Sequence, residues 1–365
     1  MYPQKKAAAG LIYGNTPHYI DHLAPLCDFL KIPLIVTEEE IKKSLNEFYP
    51  SLEVLYINYI HLPETVVINF DVLFLCTPRA LFEEVFFFAQ HFHHKEIETI
   101  WCPHGNSDKG HASIHLEALH KEKAALLYGQ KMIHFLKQKN VFSGLEKHVQ
   151  TSNFRKEYYL ERKLFYDDLV ERKISQKLSK NNKTILYAPT WEDAESSSSF
   201  TEGVSYLIEH LPSHLNLIIK PHPNLLLDSS GKNQEILTFY QNTPRVLFLT
   251  DFPPIYPLLA IIDYYVGDFS SIGYDFLFFN KPLFFLNSKK RDRQKDQGLY
   301  LFRCGVEVQP ENYKNLYSII EENSKKHSPS LCKETYEYTF GDKVDLSSLK
   351  ETIEKTFNLQ SLYFA

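Results

Sequence analysis

Glycine is scarce in this chain, with 13 residues among 365, where ordinary usage of about 7% gives roughly twice that number. A fold resting on glycine-rich phosphate loops is thereby disfavoured. The five cysteines, Cys27, Cys76, Cys102, Cys304 and Cys332, are odd in number, widely spaced and without a CxxC pair. Neither a disulfide framework nor a zinc knuckle follows from them, and a reducing cytosol is the expected compartment. Long hydrophobic runs are lacking too. The longest, around residues 256–262 and 275–286, are broken by Pro, Asp, Asn or Lys well short of a membrane span. The stretch from Ala7 to Tyr13 is too short for the apolar region of a signal peptide. The expectation is a soluble, cytoplasmic protein whose membrane contact is at most peripheral. Nor is there an excess of one charge: 40 Lys and Arg stand against 45 Asp and Glu, a net charge of -5. The global field therefore draws in neither nucleic acid nor an anionic bilayer, and any anion site must be local.

What is present is an ordinary globular composition, 44% hydrophobic and 23% charged, so disorder and fibrous repeats are excluded. The length exceeds what one hydrophobic core holds, which points to two domains. Aromatics reach 14%, with 27 Phe and 23 Tyr, an excess that fits either thick cores or stacking surfaces. Short apolar runs bounded by turn residues alternate with longer amphipathic segments, the pattern of an α/β chain with parallel sheets. Strands are expected at Leu34 to Val36, Val54 to Asn58, Val72 to Cys76, Thr99 to Cys102 and Ala125 to Tyr128, with helices at Ile20 to Leu30 and Arg79 to Phe92. In the second half they are expected at Thr184 to Ala188, Leu215 to Lys220, Val246 to Leu249, Asp263 to Val266 and Leu283 to Leu286. Two sheets fit better than one. Between them Arg155 to Asn182, highly charged, reads as a helix and a linker, and the run Ser196 to Ser199 reads as a mobile loop.

Standard signatures are missing: no GxGxxG, no GxxxxGK[ST], no HExxH and no Asp-x-Asp pair. Gly105-Asn-Ser-Asp-Lys-Gly110 is one residue too long for the GxSxG elbow of serine hydrolases. His91-Phe-His93-His94, beside Lys95, reads as a solvated helix face rather than a metal site. The remaining candidates sit directly after expected strands, where parallel sheets form ligand crevices. His104, after the strand ending near Trp101, titrates near neutral pH and suits a general base, while Gly105 lets a substrate approach the backbone. In Lys220-Pro221-His222-Pro223 the prolines stiffen the backbone, so the lysine and histidine are held together as for an anion. In Gly267-Asp268-Phe269-Ser270-Ser271-Ile272-Gly273-Tyr274-Asp275, Ser270 or Ser271 can cap a helix whose N–H groups and dipole form a phosphate-binding end without a glycine loop. Asp268 and Asp275 flank it and suit hydroxyl groups better than phosphate. Thr190 and Trp191 close another strand. Trp191 stacks on a base or covers the core, and the latter is commoner for a lone tryptophan.

Taken in order, His104-Gly105, Tyr187-Ala-Pro-Thr-Trp191, Lys220-Pro-His-Pro223, Asp268-Phe-Ser-Ser-Ile-Gly-Tyr-Asp275 and Asn280-Lys-Pro282 resemble the CDP-glycerol glycerophosphotransferases, the family of teichoic-acid polymerases and primases. Ser152-Asn-Phe-Arg155 looks like that family's Gly-x-Pro-Arg turn, and Phe340-Gly-Asp-Lys343 like its Asp-Gly-Lys segment. The resemblance implies a GT-B-like fold of two Rossmann-like domains with parallel sheets facing across a cleft. The expected division is 1–160 on the acceptor side, 161–345 on the nucleotide-donor side, and a C-terminal helix in 346–365 that packs back on the first domain. It implies transfer of glycerol phosphate, or a related polyol phosphate, from a CDP-activated donor to a hydroxyl of a glycan or lipid-linked acceptor, with CMP leaving.

Under the resemblance His104 and His222 match the two catalytic histidines, and Ser270, Ser271 and Asp275 match donor-binding positions. Lys220, Asp268, Thr190 and Arg155 join the donor and phosphate group, and Gly105, Asn106, Ser107 and Lys109 the acceptor side. No metal or cofactor is demanded, and no nucleic acid partner is expected. Two departures stand out: Asn106-Ser-Asp-Lys109 replaces Thr-Pro-Leu-Lys, and Gln297-Gly-Leu-Tyr300 replaces Arg-Gly-x-Tyr, which removes a cation. A glycosyltransferase of the same fold using a nucleotide-activated sugar, and a catalytically silent nucleotide- or glycan-binding module, are the competing readings.

Overall fold

The structure, a computed structural model, describes residues 5–109, 114–192, 198–227, 230–325 and 327–360. The chain folds into two compact units, one of Met1–Asn106, Ile114–Glu161 and Tyr338–Ala365, the other of Ser107–Ser113 and Arg162–Glu337. Together they form the two parallel-sheet α/β domains of a GT-B-like protein.

Unit 1 holds β1 (Ala8–Ile12), β2 (Leu34–Val36), β3 (Val54–Tyr56), β4 (Val72–Leu75), β5 (Glu98–Trp101), β6 (Ala124–Leu127) and β7 (Lys147–Gln150). Its helices are α1 (Ile20–Leu30), α2 (Glu39–Phe48), α3 (Leu62–Asn69), α4 (Glu83–His93), α5 (Gln130–Gln138) and α6 (Phe154–Glu161). The sheet runs β3-β2-β1-β4-β5-β6-β7 with every neighbour parallel. Runs such as Val72-Leu-Phe-Leu75 are buried throughout, as expected where helices cover both faces of a parallel sheet. Helix α1 is buried along its whole length because β1 lies on one side and α6 on another. A Cβ at Gly10 would lie 2.4 Å from the Cys27 sulfur, so the glycine is what lets α1 come this close to β1.

Unit 2 holds α7 (Lys163–Lys173), β8 (Lys183–Ala188), α8 (Phe200–Glu209), β9 (Leu215–Ile219), α9 (Lys232–Tyr240) and β10 (Val246–Phe248). It continues with α10 (Ile255–Ala260), β11 (Tyr264–Gly267), α11 (Ile272–Phe276), β12 (Leu283–Leu286), β13 (Val306–Val308) and α12 (Leu316–Asn323). The order β10-β9-β8-β11-β12-β13 is again parallel throughout. Phe200, Val204, Leu207, Tyr187, Leu217 and Phe284 are among the side chains that fill its core. Helix α13 (Pro329–Phe340) carries the chain back to unit 1, where α14 (Leu346–Phe357) packs on α1, α6 and β7. Beyond it Gln360 N–H donates to the Lys6 carbonyl at 2.8 Å and Lys6 N–H to the Asn358 carbonyl at 2.9 Å, so the residues after α14 pair with the segment just before β1.

Arg155 to Asn182 is not a helix and a linker. It contains α6 and α7 separated by the single residue Arg162, because Tyr158, Tyr159, Tyr166, Leu169 and Val170 bury enough apolar surface among the charges to hold both helices. The serine run departs as well: Ser198 and Ser199 are buried, while Ser196 and Ser197 lie outside the described residues.

In each sheet strand order reverses once, between β1 and β4 and between β8 and β11. Crevices for ligands form outside the carboxyl ends of strands at such points.

Candidate functional site

At the unit 2 reversal, β8 runs into Pro189-Thr190-Trp191 and β11 into Asp268-Phe269-Ser270-Ser271. Asp268 is fully buried. It accepts hydrogen bonds from Thr190 N–H at 2.9 Å, Ser199 N–H at 2.9 Å and the Ser199 hydroxyl at 2.8 Å. Ser199 also meets the Tyr187 hydroxyl at 2.9 Å, and the Ser198 hydroxyl donates to the Thr190 carbonyl at 2.8 Å. One carboxylate thus fastens the connections after β8 and β11 to the start of α8. Burial raises its pKa against the pull of those donors. Asp268 and Thr190, grouped with the donor-binding residues from sequence, face inward and shape the loops. Ser198 and Ser199 are packed for the same reason, since their hydroxyls satisfy buried partners.

Asp275 is turned inward too, accepting from the Tyr256 hydroxyl at 2.6 Å. Helix α11 has only five residues, extended to Phe279 by a 3-10 turn. The Ser271 side chain makes no capping bond, and Ser270 Oγ accepts from Ile272 N–H at a long 3.4 Å. The two hydroxyls are half-buried at the mouth of this turn.

Lys220 and His222 follow β9, next to β8 in the sheet. Lys220 Nζ donates to the Phe252 carbonyl at 2.7 Å. His222 Nδ1 accepts from Asn224 N–H at 3.1 Å, so in the neutral ring the proton sits on Nε2, which becomes a donor for an anion. The Trp191 ring lies 6.3 Å from that of His222 and packs on the unit 2 core, the commoner of its two expected roles. Lys109 Nζ stands 5.2 Å over the Trp191 ring and 3.3 Å from its carbonyl.

Ser107 and Lys109 do not belong with the acceptor-side unit to which they were assigned from sequence. Ser107 to Lys109 are part of unit 2. Ser107 Oγ donates to the Phe269 carbonyl at 3.0 Å, and Asp108 accepts from the Tyr274 hydroxyl at 2.6 Å and from Leu301 N–H at 3.0 Å. Asn106, the last residue of unit 1 before this excursion, is buried with neither amide atom bonded among the described residues.

In unit 1, His104 follows β5, and Gly105 takes φ +127°, a conformation that favours glycine. His104 is exposed, yet desolvation lowers its pKa to about 4. At pH 7 the ring is neutral, as a general base must be.

The sequence reading missed its neighbours. His18 and His22, four residues apart across the start of α1, and Tyr19 surround His104 with ring centroids at 5.9, 6.4 and 4.9 Å. The signal was present in the strand-end rule that selected the other candidates, but β1 itself had been read only as an apolar stretch. Desolvation lowers the pKa of His18 to about 3 and that of His22 well below 6.5.

Arg155 is not placed for phosphate. It is buried in α6, paired with Asp21 at 2.7 Å, and its guanidinium lies 5.6 Å from the Tyr128 ring. The turn before it does fit the Gly-x-Pro-Arg pattern, since Ser152 stands at φ +51° where the pattern has glycine. His91, His93 and His94 are exposed.

A family model described as CDP-Glycerol:Poly(glycerophosphate) glycerophosphotransferase matches residues 139–326, just over half of the chain. The teichoic acid glycerol-phosphate primase of Bacillus subtilis (strain 168) is 29% identical over 133 residues, 35% of this chain and 32% of that protein. The match thus spans about a third of that relative. Among solved structures, the wall teichoic acid polymerase TagF superposes with a TM-score of 0.64 at 12% identity, covering 96% of this chain and 88% of that one. The S. aureus MnaA-UDP co-structure gives 0.61 at 14%, covering 97% and 98%. Anabaena Alr3699/HepE in complex with UDP-glucose gives 0.54 at 14%, covering 96% and 99%. At these identities the three structures establish the fold.

Proposed function

The chain belongs to the CDP-glycerol:poly(glycerophosphate) glycerophosphotransferase family, and from that premise we propose that it transfers glycerol phosphate, or a related polyol phosphate, from a CDP-activated donor to an acceptor hydroxyl. The acceptor is a cell-envelope glycan of the teichoic-acid or capsule class, and the leaving group is CMP. The observation that carries this reading is that the family match contains both Lys220-Pro-His-Pro223 and Asp268 to Asp275, each at the carboxyl end of a strand beside the reversal in unit 2.

The acceptor oxygen attacks the glycerol-bearing phosphorus as the bond from that phosphorus to the CMP oxygen breaks. The hydroxyl proton passes to neutral His104. The Nε2–H of His222 and the ammonium of Lys220 offset charge growing on the pyrophosphate, and the hydroxyls of Ser270 and Ser271 donate to its oxygens. The chemistry calls on no cofactor; the nucleotide donor is substrate. A lipid-linked acceptor would bring the chain to the inner face of the membrane as a peripheral visitor; no helix among the described residues is long and apolar enough to cross one.

The test incubates the full chain and a glycerol-phosphate-primed acceptor with CDP-glycerol, CDP-ribitol, CMP-sugars and UDP-sugars, and follows products by mass spectrometry. CMP release from the CDP-polyols alone is expected. UDP release from a UDP-sugar, or CMP release from a CMP-sugar, makes the protein a glycosyltransferase instead, an outcome worth including because proteins of this fold hold UDP or UDP-glucose. Thermal stabilisation by nucleotides without turnover makes it a binding module.

A further inference from the structure

The connection from β1 to α1 brings three rings against a histidine that lies far along the chain. A 3-10 turn at Pro17–Tyr19 leads straight into α1, so His18, Tyr19 and His22 share one side of the helix start. Their rings meet that of His104 at interplanar angles of 67°, 59° and 83°. His18 and Tyr19 are themselves 4.2 Å apart. His22 Nδ1 is hydrogen-bonded to the Tyr128 hydroxyl at 2.7 Å, which fixes the orientation of the His22 ring.

We propose that His18, Tyr19 and His22 are positioning residues for His104, their rings fixing the orientation of its imidazole so that one ring nitrogen stays presented to the acceptor hydroxyl. This assignment rests on His104 being the general base. An exposed histidine at a strand end otherwise samples several rotamers, and a base misplaced by about 1 Å can lose on the order of a hundredfold in rate.

The electrostatics of the cluster agree with its geometry. Burial keeps His18 and His22 uncharged at pH 7, so neither repels a proton arriving on His104. Arg155 faces His22 and adds to the lowering of its pKa, but its own charge is matched by Asp21 at 2.7 Å. From the end of β4, Cys76 and Thr77 face Tyr19, and both are uncharged, the Cys76 thiol being held far above its usual range by burial.

Tyr19, half-buried in a turn, is the member to change. In the full chain, Tyr19→Ala is expected to lower kcat about tenfold or more while KM for CDP-glycerol moves less than about twofold, and Tyr19→Phe, which keeps the ring, to restore kcat. Imidazole NMR, with the His104 signal assigned by His104→Gln, provides a readout independent of turnover. Water entering beside the ring in Tyr19→Ala moves the His104 midpoint from about 4 up toward 6.5, and Tyr19→Phe returns it. An unmoved midpoint in Tyr19→Ala, or a loss of rate that Tyr19→Phe leaves unrepaired, overturns the proposal. If the unaltered chain turns over no CDP-polyol, the proposed function fails on its own, and the NMR titration still decides whether these rings position His104.

Discussion

The carboxyl ends of the two sheets are organised by opposite means. Around β8 and β11 a buried carboxylate, Asp268, gathers three donors from the loop after β8 and the start of α8. Around β1 and β5 His104 is instead surrounded by His18, Tyr19 and His22, which touch it by ring packing. Hydrogen bonds are directional and fix backbone loops in place, which suits the hydroxyls and imidazole N–H that we propose meet a phosphate. Ring packing withdraws the imidazole from water and disfavours its charged form, which suits the neutral base that we propose. The difference matches the charges that the proposed function assigns to the groups each region meets.

The strongest way to break this comparison is to remove the two histidines. His104→Ala and His222→Ala are each expected to lower kcat by about 10² to 10⁴, read as CMP release. Only His222→Ala should also raise the apparent Kd of a CDP nucleotide, measured by calorimetry. Full activity in both variants removes the mechanism.

The next largest effect concerns stability. Asp268→Ala strands three buried donors and should cost about 3 to 5 kcal/mol. The two tryptophans divide conveniently, Trp101 in unit 1 and Trp191 in unit 2, so single-tryptophan backgrounds report each unit in urea denaturation. The Trp191 transition should move and the Trp101 transition should move less. A loss below about 1 kcal/mol would falsify the fastening role of Asp268.

The smallest effect is also the most diagnostic, because the two regions carry opposite signs with pH. His18 and His104 have folded pKa values of about 3 and about 4 against an ordinary 6.5, and His22 is lowered as well. Between those limits the unfolded chain binds more protons than the folded one. The stability these groups contribute is therefore complete above about 6.5 and lost as pH falls toward 4 and 3, by at most about 1.4 kcal/mol per pH unit for His18 and by less for His104, whose exposure to solvent screens its charge. Asp268, raised by burial from 3.8, binds its proton more readily when folded, so acidification relieves the penalty it imposes at neutral pH. Melting from pH 7.5 to 5 should lower the Trp101 transition more than the Trp191 transition. Parallel movement of the two would show that the contrast has no energetic weight.

Much of the fold was legible in the chain. Leu34 to Val36, Leu283 to Leu286 and Ile20 to Leu30 form the expected elements to the residue, because each is an apolar run or stripe bounded by turn residues. β1 was missed because Ala8-Ala-Gly-Leu-Ile12 is rich in small residues, and only its contact with α1 makes that smallness useful. β7 was missed because it is an edge strand with exposed Lys147, His148 and Gln150, and β13 because Val306-Glu307-Val308 breaks its apolar run with a charge and is only partly buried. Among the candidate site residues, the placement of His104, Lys220 and His222 directly after strands was visible. The inward turn of Asp268, Asp275 and Arg155 was not, because a carboxylate or guanidinium reads the same in sequence whether its partner is a ligand, a tyrosine or another side chain.

The sequence by itself determined the alternation of strand and helix, the presence of two sheets, and the polar motifs that follow the strands, since each of these is written within a few neighbouring residues. Tertiary structure alone decided which strands adjoin, and hence where the order reverses and which strand ends share a crevice. It also decided that residues 107–109 bind to the second unit and that His18 and His22 reach His104. Those outcomes depend on contacts between segments far apart in the chain, where burying apolar surface and satisfying buried polar groups select one arrangement that no local pattern encodes.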